Sequence, residues 1–418
     1  MNAQESHRSD TTPLAAAIAG VAAAAVIGAA VMAGSITAIT AGSATASAAA
    51  SASGSASVSA SASVSGSGSE SGSTLEAGYI CPPCGHENDG KVYHKAGACP
   101  VCGMRLMRSD ETRNVAILLF EGVQIIDFTG PYEVFGQVGP FNVYTVSETG
   151  ESLTTAMGMS VKPSYGFENA PEPDILVVPG GSAHEAYDNP KIVAWVKAKA
   201  DAAEHVMSVC NGAFILAKAG LLDGLKATTF YGLIDDLREF APRTEVVTDQ
   251  RYVDNGKVIT SAGLSSGIDA SLYLVSKIRG LASAKNLALH LEYDWNPAST
   301  FARAALADRK LPNIASPPDA VTTLVATEGS RDRWERTHRV ESMMSEAELR
   351  RYVIDAVRAL EGWSLKDAEA LPAGAPVEGT YREPDGTAWA AGISFSPTQG
   401  AVLVTMRIER SGPRRATR

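Results

Sequence analysis

Apolar and polar positions alternate in three different ways along the chain. Residues 13–42, PLAAAIAGVAAAAVIGAAVMAGSITAITAG, carry no charge and exceed the ~20 residues a helix needs to cross a bilayer, so they predict one transmembrane helix within an amino-terminal segment of residues 1–42. A cleaved signal peptide is the alternative, because the small residues ATASAAASA follow; the length of the apolar run and the single basic residue before it, Arg8, favour a retained anchor. No Lys or Arg then appears before Lys91, so the positive-inside bias puts the amino end in the cytoplasm and the bulk of the chain outside. Residues 43–76 are a Ser/Ala/Gly tract too poor in large apolar side chains to order itself, and read as a flexible linker.

From residue 114 the pattern becomes that of buried strands separated by helices. NVAILLF (114–120), FNVYTVS (141–147), DILVVPGG (174–181) and HVMSVC (205–210) are rich in β-branched residues with no polar face, as strands covered on both sides of a parallel sheet must be. Each is followed by turn residues or a helical stretch, which predicts a doubly wound α/β domain with a mostly parallel sheet across residues 113–298. Beyond it, residues 345–361 have apolar positions at helical spacing, and TAWAAGISFS and AVLVTMRIE read as strands around a turn. Residues 299–418 are therefore expected to form a small α+β region of unassigned role.

Composition removes some functions. With 45% hydrophobic and 20% charged residues, the 418-residue chain can fill globular cores. A net charge of −10 without any basic stretch argues against nucleic acid as a partner, and the carboxyl-terminal region carries no helix-turn-helix pattern. Of five cysteines, four lie within residues 81–102.

Those four form two Cys-x2-Cys pairs, Cys81 with Cys84 and Cys99 with Cys102, each in a turn rich in Pro or Gly. Two such knuckles can bring four thiolates to one ion, and soft thiolates suit zinc or cuprous copper, with Met104, His86 or His94 as further candidate ligands. Two local disulfides or a redox pair are the competing readings. Residues 77–108 also resemble the small heavy-metal-binding domain of metal-efflux proteins, through Tyr79 to Pro82 and Cys99 to Met104. Where many members read Cys-Pro-Met-His-Pro, this chain has Cys81-Pro82-Pro83-Cys84-Gly85-His86.

Cys210 stands apart. It ends a strand run and precedes the helical segment 212–222, so it sits in a strand-turn-helix elbow where helix amides point at the sulfur and favour the thiolate. A buried structural cysteine is the alternative. The stretch around it resembles the ThiJ/PfpI family of the class I glutamine amidotransferase-like superfamily, of flavodoxin-like fold, in the branch of isonitrile hydratases and of the amino-terminal domains of AraC-type regulators. The resemblance rests on Phe120-Glu121-Gly122, Asp127-x-x-Gly130-Pro131-x-Glu133, Val178-Pro179-Gly180-Gly181, Cys210-Asn211-Gly212-Ala213-Phe214, Ala227-Thr228-Thr229 and Thr260-Ser261-Ala262-Gly263.

What the resemblance implies is a nucleophile, Cys210, an acidic partner, Asp127, and backbone amides at Gly180, Gly181 and Asn211 that stabilise an oxyanion. It also implies a homodimer. Two departures weigh against histidine-assisted peptidase or deglycase chemistry: Asn211 follows the cysteine where many relatives have Thr or His, and Phe230 follows Ala-Thr-Thr where His is frequent. Two functions remain open. One is a membrane-anchored hydratase or hydrolase of a small electrophilic molecule; the other is a tethered protein that senses metal or oxidant, or binds a small ligand, without turnover.

Overall fold

The computed structural model describes residues 78–81, 91–299, 301–366 and 375–412. The expected transmembrane helix, the linker and Cys84 lie outside them; among the described residues, no helix is long and apolar enough to cross a membrane.

Runs with no polar face become strands with no exposed face. Val115, Ala116, Ile117 and Leu118 are wholly buried on β1 (Arg113–Leu118), as are Ile175 to Val178 on β4 (Ile175–Val178). With β2 (Phe141–Ser147), β3 (Tyr165–Gly166), β5 (His205–Val209), β6 (Tyr252–Asp254) and β7 (Val258–Ser261) they form one seven-stranded sheet, ordered β6-β7-β5-β4-β1-β2-β3. All neighbours are parallel except β6 and β7, a hairpin that closes one edge. The expected α/β class and mostly parallel sheet hold, with the β6–β7 pair as the antiparallel edge.

The order reverses direction between β4 and β1, and at such a point strand ends diverge and leave a crevice. The carboxyl ends of β1, β4, β5 and β7 lead into the segments that carry Asp127, Gly180, Cys210 and Leu264. Helix α1 (Ile125–Gly136) follows β1 and packs on α4 (Ser266–Arg279). A Cβ on Gly130 would fall 2.9 Å from Ile268 Cγ1, so glycine there permits the close crossing. Helices α2 (Pro190–Ala202) and α3 (Gly212–Lys218) add side chains to the same core, and α5 (Leu281–His290) packs on α4. The run 174–181 leaves the sheet at Pro179, whose nitrogen has no proton for the ladder.

After residue 320 the chain builds a second sheet, antiparallel and ordered β8-β9-β13-β12-β11-β10, from β8 (Val321–Gly329), β9 (Arg333–Glu341), β10 (Trp363–Leu365), β11 (Val377–Arg382), β12 (Ala388–Thr398) and β13 (Ala401–Arg410). Helix α6 (Glu346–Arg358) starts at a capping box: Ser345 Oγ accepts from the Glu348 N–H at 3.3 Å, and Glu348 Oε2 accepts from the Ser345 N–H at 2.8 Å. Leu349, Val353 and Val357 then face Ile393, Phe395 and Val404 in a core separate from the first. Only β12 and β13 were readable as strands.

Three two-residue strands, Tyr79–Ile80, Val92–Tyr93 and Met107–Arg108, hold a third, small core made of Cys81, Cys99 and Leu106.

Candidate active site and metal cluster

Cys210 has a backbone φ of +58°, in the left-handed region that side chains other than those of Gly, Asn and Asp rarely enter. The turn is held from both sides. The Cys210 N–H donates to the Ser261 carbonyl at 3.1 Å, and Thr229 Oγ1 donates to the Cys210 carbonyl at 2.9 Å. Helix α3 begins two residues later, against the backbone of β4; a Cβ on Gly212 would lie 2.2 Å from the Val178 oxygen. Strain kept in place by this many constraints marks a functional elbow.

Asp127, fully buried on the first turn of α1, lies against Cys210 at Gly180: a Cβ on that glycine would meet Asp127 Oδ2 at 2.9 Å and Cys210 Cβ at 2.8 Å. Its carboxylate also accepts from the Gly180 N–H at 3.2 Å and from the Leu264 N–H at 3.1 Å. Burial pushes the carboxyl up to about 7 against the pull of these donors. Burial, and then the adjacent Asp127 charge, raise the thiol well above its ordinary value, while the Asn211 N–H pulls the other way. The elbow was expected to favour the thiolate; instead the burial of Cys210, a residue 8% exposed, and the adjacent carboxylate outweigh the helix amide and raise the thiol.

The expected oxyanion donors are also occupied. The Gly180 N–H is spent on Asp127, and the Gly181 N–H donates to Asn211 Oδ1 at 2.8 Å, while Asn211 Nδ2 donates to the Gly181 carbonyl at 2.8 Å. Both glycines are needed as glycine. A Cβ on Gly180 would meet Cys210 Cβ at 2.8 Å, and one on Gly181 would meet the Gly122 oxygen at 2.3 Å. Of the three candidate amides, that of Asn211 points at the sulfur. His184 is exposed and its Nε2 lies 3.8 Å from Glu185, on the surface. Thr229, Leu264 and the side-chain role of Asn211 escaped the sequence reading: each acts through a contact between distant segments, the Leu264–Asp127 pair being 137 residues apart.

In the small core the sulfurs of Cys81, Cys99 and Cys102 all lie within 4.8 Å of one another, with Cys81 and Cys102 3.4 Å apart. The N–H groups of Cys102 and Val101 draw the Cys99 thiol down to about 6. Tyr93 Oη lies 3.7 Å from Cys99 Sγ, and burial together with that sulfur pushes the phenol up to about 12. Three converging soft donors, one of them ionised at neutral pH, fit a thiophilic cation.

A buried cysteine on a strained elbow, a carboxyl against its sulfur and an α/β sheet behind both define a cysteine-elbow α/β domain. This chain belongs to the DJ-1/PfpI family, whose model matches residues 113–277; a heavy metal binding domain matches residues 79–108, upstream of it. Over 180 residues the chain is 33% identical to isonitrile hydratase of Pseudomonas putida, an alignment covering 43% of this chain and 78% of that one. It is 35% identical over 143 residues to the deglycase PfpI of Pyrococcus furiosus, covering 32% of this chain and 83% of the other. A solved ThiJ/PfpI family protein from Pseudomonas syringae is 30% identical, with 45% of this chain and 78% of that chain covered at a TM-score of 0.42.

Proposed function

We propose that this chain is a cysteine-dependent hydratase or hydrolase of a small electrophilic molecule, with hydration of an isonitrile as the reaction its site suits best. The observation that supports it is the pairing of Cys210, strained at φ +58°, with a fully buried Asp127 carboxyl that meets it at Gly180 and acts on its thiol. A carboxyl poised near 7 both accepts and returns a proton at neutral pH.

In this reading Asp127 takes the thiol proton as the sulfur adds to the terminal carbon of R–NC, then delivers it to that carbon, leaving a thioimidate, Cys–S–CH=N–R. Water adds across the C=N bond, its hydroxyl to carbon and its proton to nitrogen. The C–S bond then breaks, the hydroxyl proton returns to sulfur through Asp127, and the formamide R–NH–CHO leaves with the thiol restored. The Asn211 N–H, aimed at the sulfur, steadies it while it carries charge. Cys81, Cys99 and Cys102 would hold zinc or cuprous copper in a separate module, and residues 13–42 would anchor the chain with its bulk outside the cytoplasm.

Formamide release from a small alkyl isonitrile tests the reading: wild type should turn over, while Cys210→Ala and Asp127→Asn fall to the uncatalysed rate. Equal rates in all three would end it. A sensing role without turnover is supported by one observation, the soft-donor cluster on the same chain; a change in Cys210 alkylation on adding zinc or cuprous copper would favour that role.

A further inference from the structure

Glycine at position 263 leaves room that an aromatic ring occupies. A Cβ there would lie 3.3 Å from Cys210 Sγ and 2.5 Å from Phe230 Cδ2, so sulfur and ring meet at the same glycine. A cleft of about 160 Å³ opens beside that ring, lined by Phe230, Tyr231, Arg251, Leu264, Phe301 and Arg303 among others. Cys210 itself does not line it, and its 8% exposure leaves the sulfur almost covered. A molecule held in the cleft therefore has the Phe230 ring and Gly263 between it and the thiol.

The outer wall comes from chain beyond the family domain. The match ends at residue 277, yet Phe301 and Arg303 face the cleft. Arg303 stacks on the Tyr231 ring with its guanidinium carbon 4.0 Å from the centroid, and its Nε lies 3.2 Å from Asp308 Oδ2. Across the opening, Arg251 Nε donates to Asp269 Oδ2 at 2.6 Å, and the guanidinium lies 5.7 Å from the Phe301 ring centre. Both cations are thus already neutralised by buried carboxylates, so a substrate anion gains little here, while three aromatic rings offer apolar contact.

We propose that this cleft is the entrance to Cys210, that Phe230 is its gate, and that Phe301 limits the size of what enters, so that the chain admits small, uncharged, largely apolar molecules. The proposal rests on Cys210 as the nucleophile. The Phe230 ring neither donates nor accepts a proton, which suits exclusion better than acid–base work.

The test is alkylation of Cys210 in the full chain, followed by mass spectrometry of its peptide, with iodoacetamide, iodoacetate and N-benzyl iodoacetamide. All three need the thiolate, so rate ratios between them cancel any change in its population. Wild type should prefer iodoacetamide. Phe230→Ala should raise the benzyl-to-acetamide ratio about tenfold, the effect of a modest drop in an opening barrier. Phe230→Leu, which preserves packing, should give an intermediate rise, and Phe301→Ala, at a residue 54% exposed, should raise the ratio without touching the core. Ratios unchanged in every variant, or a Cys210 that none of the reagents reaches, would overturn the gate. Unchanged ratios with formamide production intact remove the gate alone; altered ratios without formamide production remove the reaction and leave the gate.

Discussion

The Asn211 side chain is paired twice with the backbone of Gly181: Oδ1 accepts its N–H at 2.8 Å and Nδ2 donates to its carbonyl at 2.8 Å. The residue after the cysteine thereby locks the loop after β4 to the elbow after β5. Asn211→Ala leaves both partners unmet, and should cost roughly 1–3 kcal/mol of stability, read as a lowered midpoint in urea or heat. A midpoint equal to wild type would mean that the clamp carries no energy.

Asp127 makes stability depend on pH in a defined direction. Its carboxyl is raised from 3.8 to about 7 in the folded chain, so between those values the folded state holds a proton that the unfolded state has released. That contribution is complete below about pH 4 and disappears as pH rises through about 7. Asp127→Asn should flatten this part of the profile, and the difference in unfolding free energy between the two proteins should change by up to about 4 kcal/mol across the window. Parallel profiles for the two proteins would count against a raised carboxyl.

The same carboxylate holds the Cys210 thiol up, second only to burial. Asp127→Asn should therefore lower the pH at which Cys210 becomes alkylated while abolishing turnover. Faster labelling with lost activity separates proton transfer from thiol reactivity. An alkylation curve displaced to higher pH would contradict the arrangement seen here.

Metal uptake should follow the converging sulfurs. Zinc or cuprous copper retained by the full chain after gel filtration under reducing conditions should fall on Cys81→Ser, Cys99→Ser or Cys102→Ser and be unaffected by Cys210→Ser. Tyr93→Phe should weaken retention less than any of the three, because it removes only the hydroxyl beside Cys99. Equal retention in every cysteine variant would detach the metal from this cluster.

Much of the α/β domain was legible because burial on both faces leaves no choice of residue: FNVYTVS is the strand Phe141–Ser147 without adjustment. Helix α6 announced itself through the 3.6-residue apolar rhythm of residues 345–361. The strand VTTLVATEG did not, since each of its nine residues is exposed and an exposed strand imposes no alternation. RWERTHRVE is equally silent, as a strand with charge on both faces. At the site, Cys210 and Asp127 were readable as residue types in motifs, whereas the capture of the Gly180 and Gly181 amides by other side chains follows only from segments meeting in space. The elbow's reversed thiol acidity was hidden for the same reason: sequence reveals the helix amides, and folding adds the carboxylate and the burial.

The left-handed backbone at Cys210 sets stability against reactivity within one residue. A glycine there would adopt φ +58° without steric penalty, whereas strain of this kind costs about 1–3 kcal/mol, so the cysteine holds this backbone at a cost that a glycine would not carry. Selection for robustness alone would drift toward that glycine. A cysteine kept in such a place is one that the rest of the molecule is built to tolerate, and laboratory evolution for heat resistance, run without a demand for chemistry, should discard it early.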